Sequence, residues 1–333
     1  MRAMVLNAPK PTEESPLVLE KLPAPSPSDG QVLIRVSACG VCHTDLHIVE
    51  GELPLPKLPL IPGHQIVGAV AALGAGVGRF NVGERIGVPW LGSTCGVCDF
   101  CTRGLENLCE SARFTGYHSD GGYAEYVVAP ADFVYRLPDG YEDVQAAPLL
   151  CAGVIGYRAL KISGIGPGGR LAMYGFGGSA HVAIQVARHW GCTVDVMTRN
   201  PAHRKHALDL GAAWTGGAED APPAKHDAAV VFAPAGGLVP VALSNLRRGG
   251  TVALAGIYMT PIPEMDYGGL LYHERSVKSV ANSTRQDVID LLEMAPKVPI
   301  RTDVQVFALE EANGALLAMK ESRITGAGVL KMG

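Results

Sequence analysis

The stretch Tyr174-Gly175-Phe176-Gly177-Gly178-Ser179-Ala180 constrains the fold more than any other part of this 333-residue sequence. It reads G-x-G-x-x-A. Before it, Leu171–Tyr174 reads as a buried strand; after it, Ser179–Trp190 carries Ala183, Val186 and Trp190 at helical spacing. A strand that passes at once into a helix needs residues with little or no side chain. Gly175 makes the turn, Gly177 lets backbone approach a ligand, and a small residue at 180 lets helix and strand pack closely. The rhythm then repeats. Thr193–Met197 reads as the next strand. Pro201–Leu210 reads as a helix, with Pro201 in its first turn and Gly211 just past its end. Ala228–Phe232, Thr251–Ala255 and Val277–Ala281 continue the strands. Strands alternating with helices imply a doubly wound parallel sheet covered on both faces. Glycine-rich turns are common in isolation. Inside a βαβ unit, Gly175, Gly177 and Gly178 imply a dinucleotide whose pyrophosphate sits at the positive end of the following helix.

The first half has another character. Val32–Val36, Ile66–Ala72, Arg85–Val88 and Ala124–Val128 are short, β-branched segments bounded by Gly, Pro or Asp, which read as strands. Ile289–Leu330 is mixed and is expected to rejoin this β-rich part. The length exceeds what one core usually holds, so two domains are expected: 1–153 with 287–333, and 154–286. Charged residues at 18% against 47% hydrophobic argue for a folded globule. A net charge of −4 gives no reason to expect a nucleic-acid partner. No apolar run approaches the roughly 20 residues that cross a bilayer. The opening MRAMVLNAPK lacks the apolar stretch of a signal peptide. A cytoplasmic protein without a membrane partner is therefore expected.

Eight cysteines stand at 39, 42, 95, 98, 101, 109, 151 and 192. In a reducing compartment such a set points to metal rather than disulfides. Cys95, Cys98, Cys101 and Cys109 lie in TCGVCDFCTRGLENLC, spaced C-x2-C-x2-C-x7-C. Four thiolates on one loop close a tetrahedral site around Zn²⁺ and leave no position for a substrate, so such a site is structural. An iron–sulfur cluster also takes four cysteines, and spacing alone does not separate the two. Four free thiols are the bland alternative, and an oxidation liability. A second, open set is formed by Cys42 in GVCHTDLH, His64 in PGHQ and Cys151 in PLLCAG. Cys–His–Cys plus water is one arrangement of catalytic zinc. No short spacing ties these three together, and a lone Cys or His is more often packing than ligand. Asp45, three residues after Cys42, suits the carboxylate that orients a ligand histidine.

Taken together, GVCHTDLH, PGH, the four-cysteine loop, GGYAEYVV, PLLCAG and the GFGGSA turn resemble the zinc-containing medium-chain alcohol dehydrogenases, in order and over nearly the whole chain. WLGSTCGVCDFC and FTGYHSDGGYAEY look closer to the yeast-like, tetrameric branch than to the dimeric liver-like one. The resemblance implies a GroES-like β-rich catalytic domain and a Rossmann cofactor domain. It implies hydride transfer between an alcohol or aldehyde and a nicotinamide cofactor, with two zinc ions per chain. It makes Cys42, His64 and Cys151 ligands of the catalytic zinc. Thr44 and His47 match proton-relay positions, Asp45 supports the zinc histidine, and His43 and Arg285 match positions that contact the cofactor pyrophosphate. Trp90 is expected to line the substrate pocket, where a large ring favours slender primary alcohols; the alternative is an ordinary core tryptophan. Cys39 and Cys192 match no ligand. Gln65 departs from the family's usual Glu, keeping the size and removing a negative charge near the metal.

Cofactor choice rests on the end of the second Rossmann strand. A carboxylate there binds the ribose 2′-hydroxyl of NAD, whereas an Arg accommodates the 2′-phosphate of NADP. Counted from Gly191, that position is Thr198, followed by Arg199, with Arg204 and Lys205 in the next helix. Asp195 is mid-strand and should point into or across the sheet. NADP(H) is thus favoured over NAD(H), the alternative being that Arg199 is a solvated surface residue. Two rivals share the fold: a zinc-free quinone or enoyl reductase, against which the cysteines argue, and a zinc-holding binding protein without catalysis, against which Thr44 and His47 argue.

Overall fold

The computed structural model describes residues 1–333, which divide into two compact units. One comprises Met1–Cys151, Thr284–Pro296 and Arg301–Gly333; the other comprises Ala152–Ser283 and Lys297–Ile300.

The first unit is organised by the strand Gln31–Val41. It pairs antiparallel with Gln65–Leu73, with Tyr126–Pro130 and with Ala327–Lys331. The C-terminal segment is thereby built into the N-terminal sheet. Arg85–Val88 and Tyr135–Arg136 extend the sheet on one side, Val304–Ala308 on the other. Alternation in the central strand turns Val32, Ile34 and Val36 inward, and Ile34, Ile66 and Ile86 are entirely buried. Each such side chain contributes roughly 1.5–3 kcal/mol relative to exposure. Register slips between Leu33 and Ile34 and between Val36 and Ala38 bend the strand toward its Val41 end. The strand expected at Ala124–Val128 forms two residues later, at Tyr126–Pro130. The reason is competition for backbone: Ala124 bridges Ala3, and the Glu125 N–H donates to the Arg2 carbonyl.

The second unit contains a six-stranded sheet whose pairings are all parallel. Its spatial order is Trp214–Gly216, Thr193–Met197, Arg170–Tyr174, His226–Val231, Leu246–Leu254 and Ser276–Ser279. This is the 3-2-1-4-5-6 order of a Rossmann fold. The helices Gly178–His189 and Pro201–Asp209 follow the first two strands in sequence. The edge strand Trp214–Gly216 has three residues and too little alternation to be read beforehand. Asp195 is fully buried in mid-strand, where Arg170 (2.7 Å) and the ring of His226 (2.9 Å) occupy its carboxylate.

Candidate functional site

The central strand ends at Val41, and Cys42 starts the helix His43–Val49 in extended backbone. Asp45, third residue of that helix, reaches back to accept the Cys42 N–H at 3.0 Å. The same carboxylate accepts the Gly63 N–H (3.1 Å) and the Tyr123 hydroxyl (3.2 Å), and meets His64 Nδ1 at 3.0 Å. Asp45 is wholly buried, so these four groups replace its water. Gly63 is required by geometry. Its φ is +97°, and a Cβ would stand 2.4 Å from the Tyr123 ring.

His64 follows directly, its ring buried and its Nδ1 engaged by Asp45. Its Nε2 is buried and has no hydrogen-bond partner. One ring nitrogen of His64 and the sulfurs of Cys42 and Cys151 lie within 4.8 Å of one another. Cys151 follows the single 3-10 turn Ala147–Leu150. The Thr44 hydroxyl is 3.7 Å from the Cys42 sulfur. Burial by itself would lower the His64 pKa, yet Asp45, and then Cys42, hold it up at about 10. The contact with Cys151 pushes the Cys42 thiol well below its ordinary range, while Cys151 is raised by the same contact. The pocket therefore favours positive charge. A buried ring nitrogen without a hydrogen-bond partner, grouped with two sulfurs in such a pocket, fits a divalent cation of zinc's ligand preference.

His47, on the same helix, is buried, and its Nδ1 is bonded to the carboxylate of Glu52. His43 is exposed, its ring 6.5 Å from that of His47. Trp90 is buried beside the three-residue set. It meets the His64 ring edge-on at 4.8 Å and stacks on Phe114 at 4.9 Å, with Tyr117 tilted against it at 5.7 Å. Gln65 is buried under the close approach of Gly40, where a Cβ would come 2.7 Å from its Nε2.

The four-cysteine loop forms a separate cluster. All four sulfurs lie within 4.8 Å of one another. The Cys95 sulfur is 3.6 Å from that of Cys109 and 3.9 Å from that of Cys101. A tetrahedron with Zn–S bonds of about 2.3 Å has edges of roughly 3.8 Å, so these spacings fit one ion at the centre. Backbone N–H groups of Val97 and Cys98 hold the Cys95 thiol down at about 6, which readies it as a ligand.

In the Rossmann unit, Gly175 has φ +91°, and a Cβ there would stand 3.0 Å from the Ala233 nitrogen. Around Gly177 the space that a Cβ would take is open. Gly178 begins the helix, no side chain caps its N-terminus, and Ala180 is buried against the sheet. These features fit an anion received by free N–H groups. Thr198 is buried at the end of its strand, its N–H bonded to Gly216 O at 2.8 Å, and Arg199 is exposed. Arg285, within the first unit, rests on Glu106 at 3.2 Å and over the Phe133 ring.

Four contributors to these arrangements were not singled out from the sequence: Tyr123, Glu52, Phe114 and Tyr117. Tyr123 lies in the GGYAEY stretch, but its bond to Asp45 spans 78 residues. Nothing local announces such a contact.

Residues 28–139 match the alcohol dehydrogenase GroES-like domain, and residues 178–297 match the zinc-binding dehydrogenase domain. A "Probable alcohol dehydrogenase AdhA" of Mycobacterium tuberculosis (strain CDC 1551 / Oshkosh) is 47% identical over 99% of this chain and 97% of its own length. An alcohol dehydrogenase of Geobacillus stearothermophilus is 41% identical over 100% and 99%. Among solved structures, a cobalt- and zinc-bound thermostable alcohol dehydrogenase from Pyrobaculum aerophilum superposes with a TM-score of 0.91 at 26% identity, covering 99% of each chain. A GroES-like domain paired with a Rossmann unit defines the medium-chain dehydrogenase class. Within it, this chain belongs to the zinc-containing alcohol dehydrogenase family. It is an oxidoreductase of alcohols, and no helix is long and apolar enough to cross a membrane.

Proposed function

We propose that the chain carries two zinc ions, a catalytic one on Cys42, His64 and Cys151 and a structural one on Cys95, Cys98, Cys101 and Cys109, and that it favours NADP(H) over NAD(H). The buried, partnerless Nε2 of His64 facing two sulfurs carries the catalytic assignment. When bound, zinc lowers the pKa of the substrate hydroxyl and the nicotinamide accepts the hydride. Asp45 fixes the His64 ring so that Nε2 points at the ion. Thr44, beside Cys42, accepts the substrate hydroxyl proton as it gives up its own toward His47. His47 takes it onward, with Glu52 leading to solvent. Trp90, fixed between His64 and Phe114, walls the pocket and favours slender primary alcohols. His43 and Arg285 are candidate contacts for the cofactor pyrophosphate by their match to the family's positions, and in the Rossmann unit Gly175, Gly177 and Gly178 suit a pyrophosphate at the helix start.

The NADP(H) preference rests on the uncharged Thr198 at the strand end, on the cationic side chains that follow it from Arg199 onward, and on the unavailability of buried Asp195. Eight unpaired cysteines suit a reducing cytoplasm. Exposed Ile257, Ile262, Tyr267 and Tyr272, close in sequence to the edge strand Ser276–Ser279, suit a homo-oligomer, for which a tetramer is favoured over a dimer. The deciding experiment measures kcat/KM for a panel of alcohols with each cofactor. No alcohol-dependent reduction of either cofactor overturns the activity, and a clear preference for NAD overturns the cofactor choice.

A further inference from the structure

Three cationic side chains lie just beyond the second Rossmann strand, and the structure treats them differently. Lys205 is exposed and taken up by Asp209, one helical turn on, at 2.8 Å. Arg199 is exposed and has no hydrogen bond or ion pair, so it would lose its full rotamer freedom on engaging a ligand. Arg204 is half-buried, and its Nε donates to the Thr198 carbonyl at 2.7 Å. That bond ties the guanidinium of the helix Pro201–Asp209 to the very end of the strand Thr193–Met197. The end of the neighbouring strand adjoins it: a Cβ on Gly217 would lie 3.5 Å from one Arg204 terminal nitrogen. The Thr198 N–H is itself bonded to Gly216, so both strand ends and the arginine form one connected piece. Using Nε for anchoring leaves the two terminal nitrogens of the fork for a ligand.

We infer that Arg204, rather than the neighbouring Arg199, is the residue that selects the 2′-phosphate of the cofactor; this rests on the NADP(H) reading above. An arginine already fixed by a backbone carbonyl gives up less entropy when it binds, and its remaining donors suit a doubly charged phosphate. Thr198 cannot repel that phosphate, because it carries no charge where an NAD-selective enzyme carries a carboxylate. One opposing group is present. The Asp220 carboxylate also lies 3.5 Å from the same Gly217 position. It accepts the Gly217 N–H at 2.7 Å. Asp220 thus limits the preference that Arg204 creates.

The test is direct binding, with no turnover needed. Adenosine 2′,5′-bisphosphate and 5′-AMP are titrated into the zinc-loaded protein by calorimetry. The wild type should bind the bisphosphate about tenfold or more tightly than 5′-AMP, the scale of one charge-assisted contact. Arg204→Ala should remove most of that ratio and leave 5′-AMP binding unchanged. Arg199→Ala should change the ratio less than about threefold, and Asp220→Asn should raise it. Should Arg204→Ala fold poorly by circular dichroism, Arg204→Lys reads the same point, since it keeps the charge and loses the anchored fork; it should fall between wild type and no preference. A wild type without preference for the bisphosphate overturns the NADP(H) reading itself. A wild type that keeps the preference while Arg199→Ala abolishes it, or while the Arg204 variants leave it intact, overturns the assignment to Arg204 alone.

Discussion

Two cysteine-bearing sites sit in one unit of this chain and are built in opposite ways. The loop holding Cys95, Cys98, Cys101 and Cys109 draws its four sulfurs from cysteines at most 14 positions apart, and only Cys109 among them is buried. The set Cys42, His64 and Cys151 is gathered from the end of the central strand, a glycine turn and a 3-10 turn, around a histidine with no exposure. In the loop, backbone N–H groups of the cysteines themselves support the sulfurs, Cys98 donating to Cys95 and Cys95 to Cys109. In the other set, the Asp45 carboxylate collects four donors from the start of its own helix and from two distant segments, His64 among them. The local set offers four ligand atoms and would close around an ion. The assembled one offers three and would leave a position open. Closure suits folding stability, and an open position suits a substrate oxygen. The difference teaches that the same side-chain chemistry takes its role from how many partners the fold supplies.

The comparison can be broken most sharply at Cys42. Cys42→Ser should lower kcat by at least about a thousandfold, because a catalytic metal supplies several kcal/mol and each 1.36 kcal/mol is a factor of ten. Circular dichroism and Tm should stay close to wild type. Near-normal turnover in that variant would remove Cys42 from the machinery.

Cys98→Ser should do the reverse. Losing a structural site withdraws metal-binding energy from folding, so a deficit of several kcal/mol and a Tm lower by roughly 10 °C are expected. Elemental analysis should find two zinc ions per wild-type chain, one for each ligand group, and one in this variant. Iron with sulfide in the wild type, or a single zinc, would defeat the pairing of two zinc sites.

Asp45→Asn tests what supports the assembled site. It keeps the shape and loses the charge that His64 Nδ1, Gly63 N–H, Cys42 N–H and the Tyr123 hydroxyl share. Metal affinity or activity should fall about 10–100-fold, the usual effect of removing such a partner. A chelator competition series that shows no change would mean that packing alone orients His64.

Gln65→Glu should have the smallest effect. It restores the residue usual in the family at a buried position next to His64. Activity should remain within about tenfold of wild type, a barrier change below about 1.4 kcal/mol. Complete loss of zinc from this variant would show that the assembled site is tuned to a neutral neighbour.

Much of the architecture was legible in the sequence because it follows from local periodicity. Thr193–Met197 and Arg85–Val88 form at the residues their pattern indicates. The helix read at Ser179–Trp190 forms as Gly178–His189. Where the reading missed, the cause was short length or competition. Trp214–Gly216 offers three residues, and the backbone of Ala124 and Glu125 pairs with Ala3 and Arg2 instead of extending a strand. Site residues in one motif, such as Cys42, Thr44, Asp45 and His47, could be named together. Their supporting partners Tyr123 and Glu52 carried no spacing that pointed to them.

By itself, the sequence determined the alternating strand–helix order, the need for glycine at 175, the grouping of four cysteines on one loop and the inward fate of Asp195. Each follows from interactions between residues close along the chain, whose geometry spacing and side-chain type dictate. Only the tertiary structure decided that His64 would keep a partnerless Nε2 beside Cys42 and Cys151 while Asp45 held its other nitrogen, and that Arg204 rather than Arg199 would be tied to the end of its strand. Those outcomes depend on which distant backbones approach within 3 or 4 Å. Sheet pairing and core burial set that approach for the chain as a whole, and no short stretch encodes it.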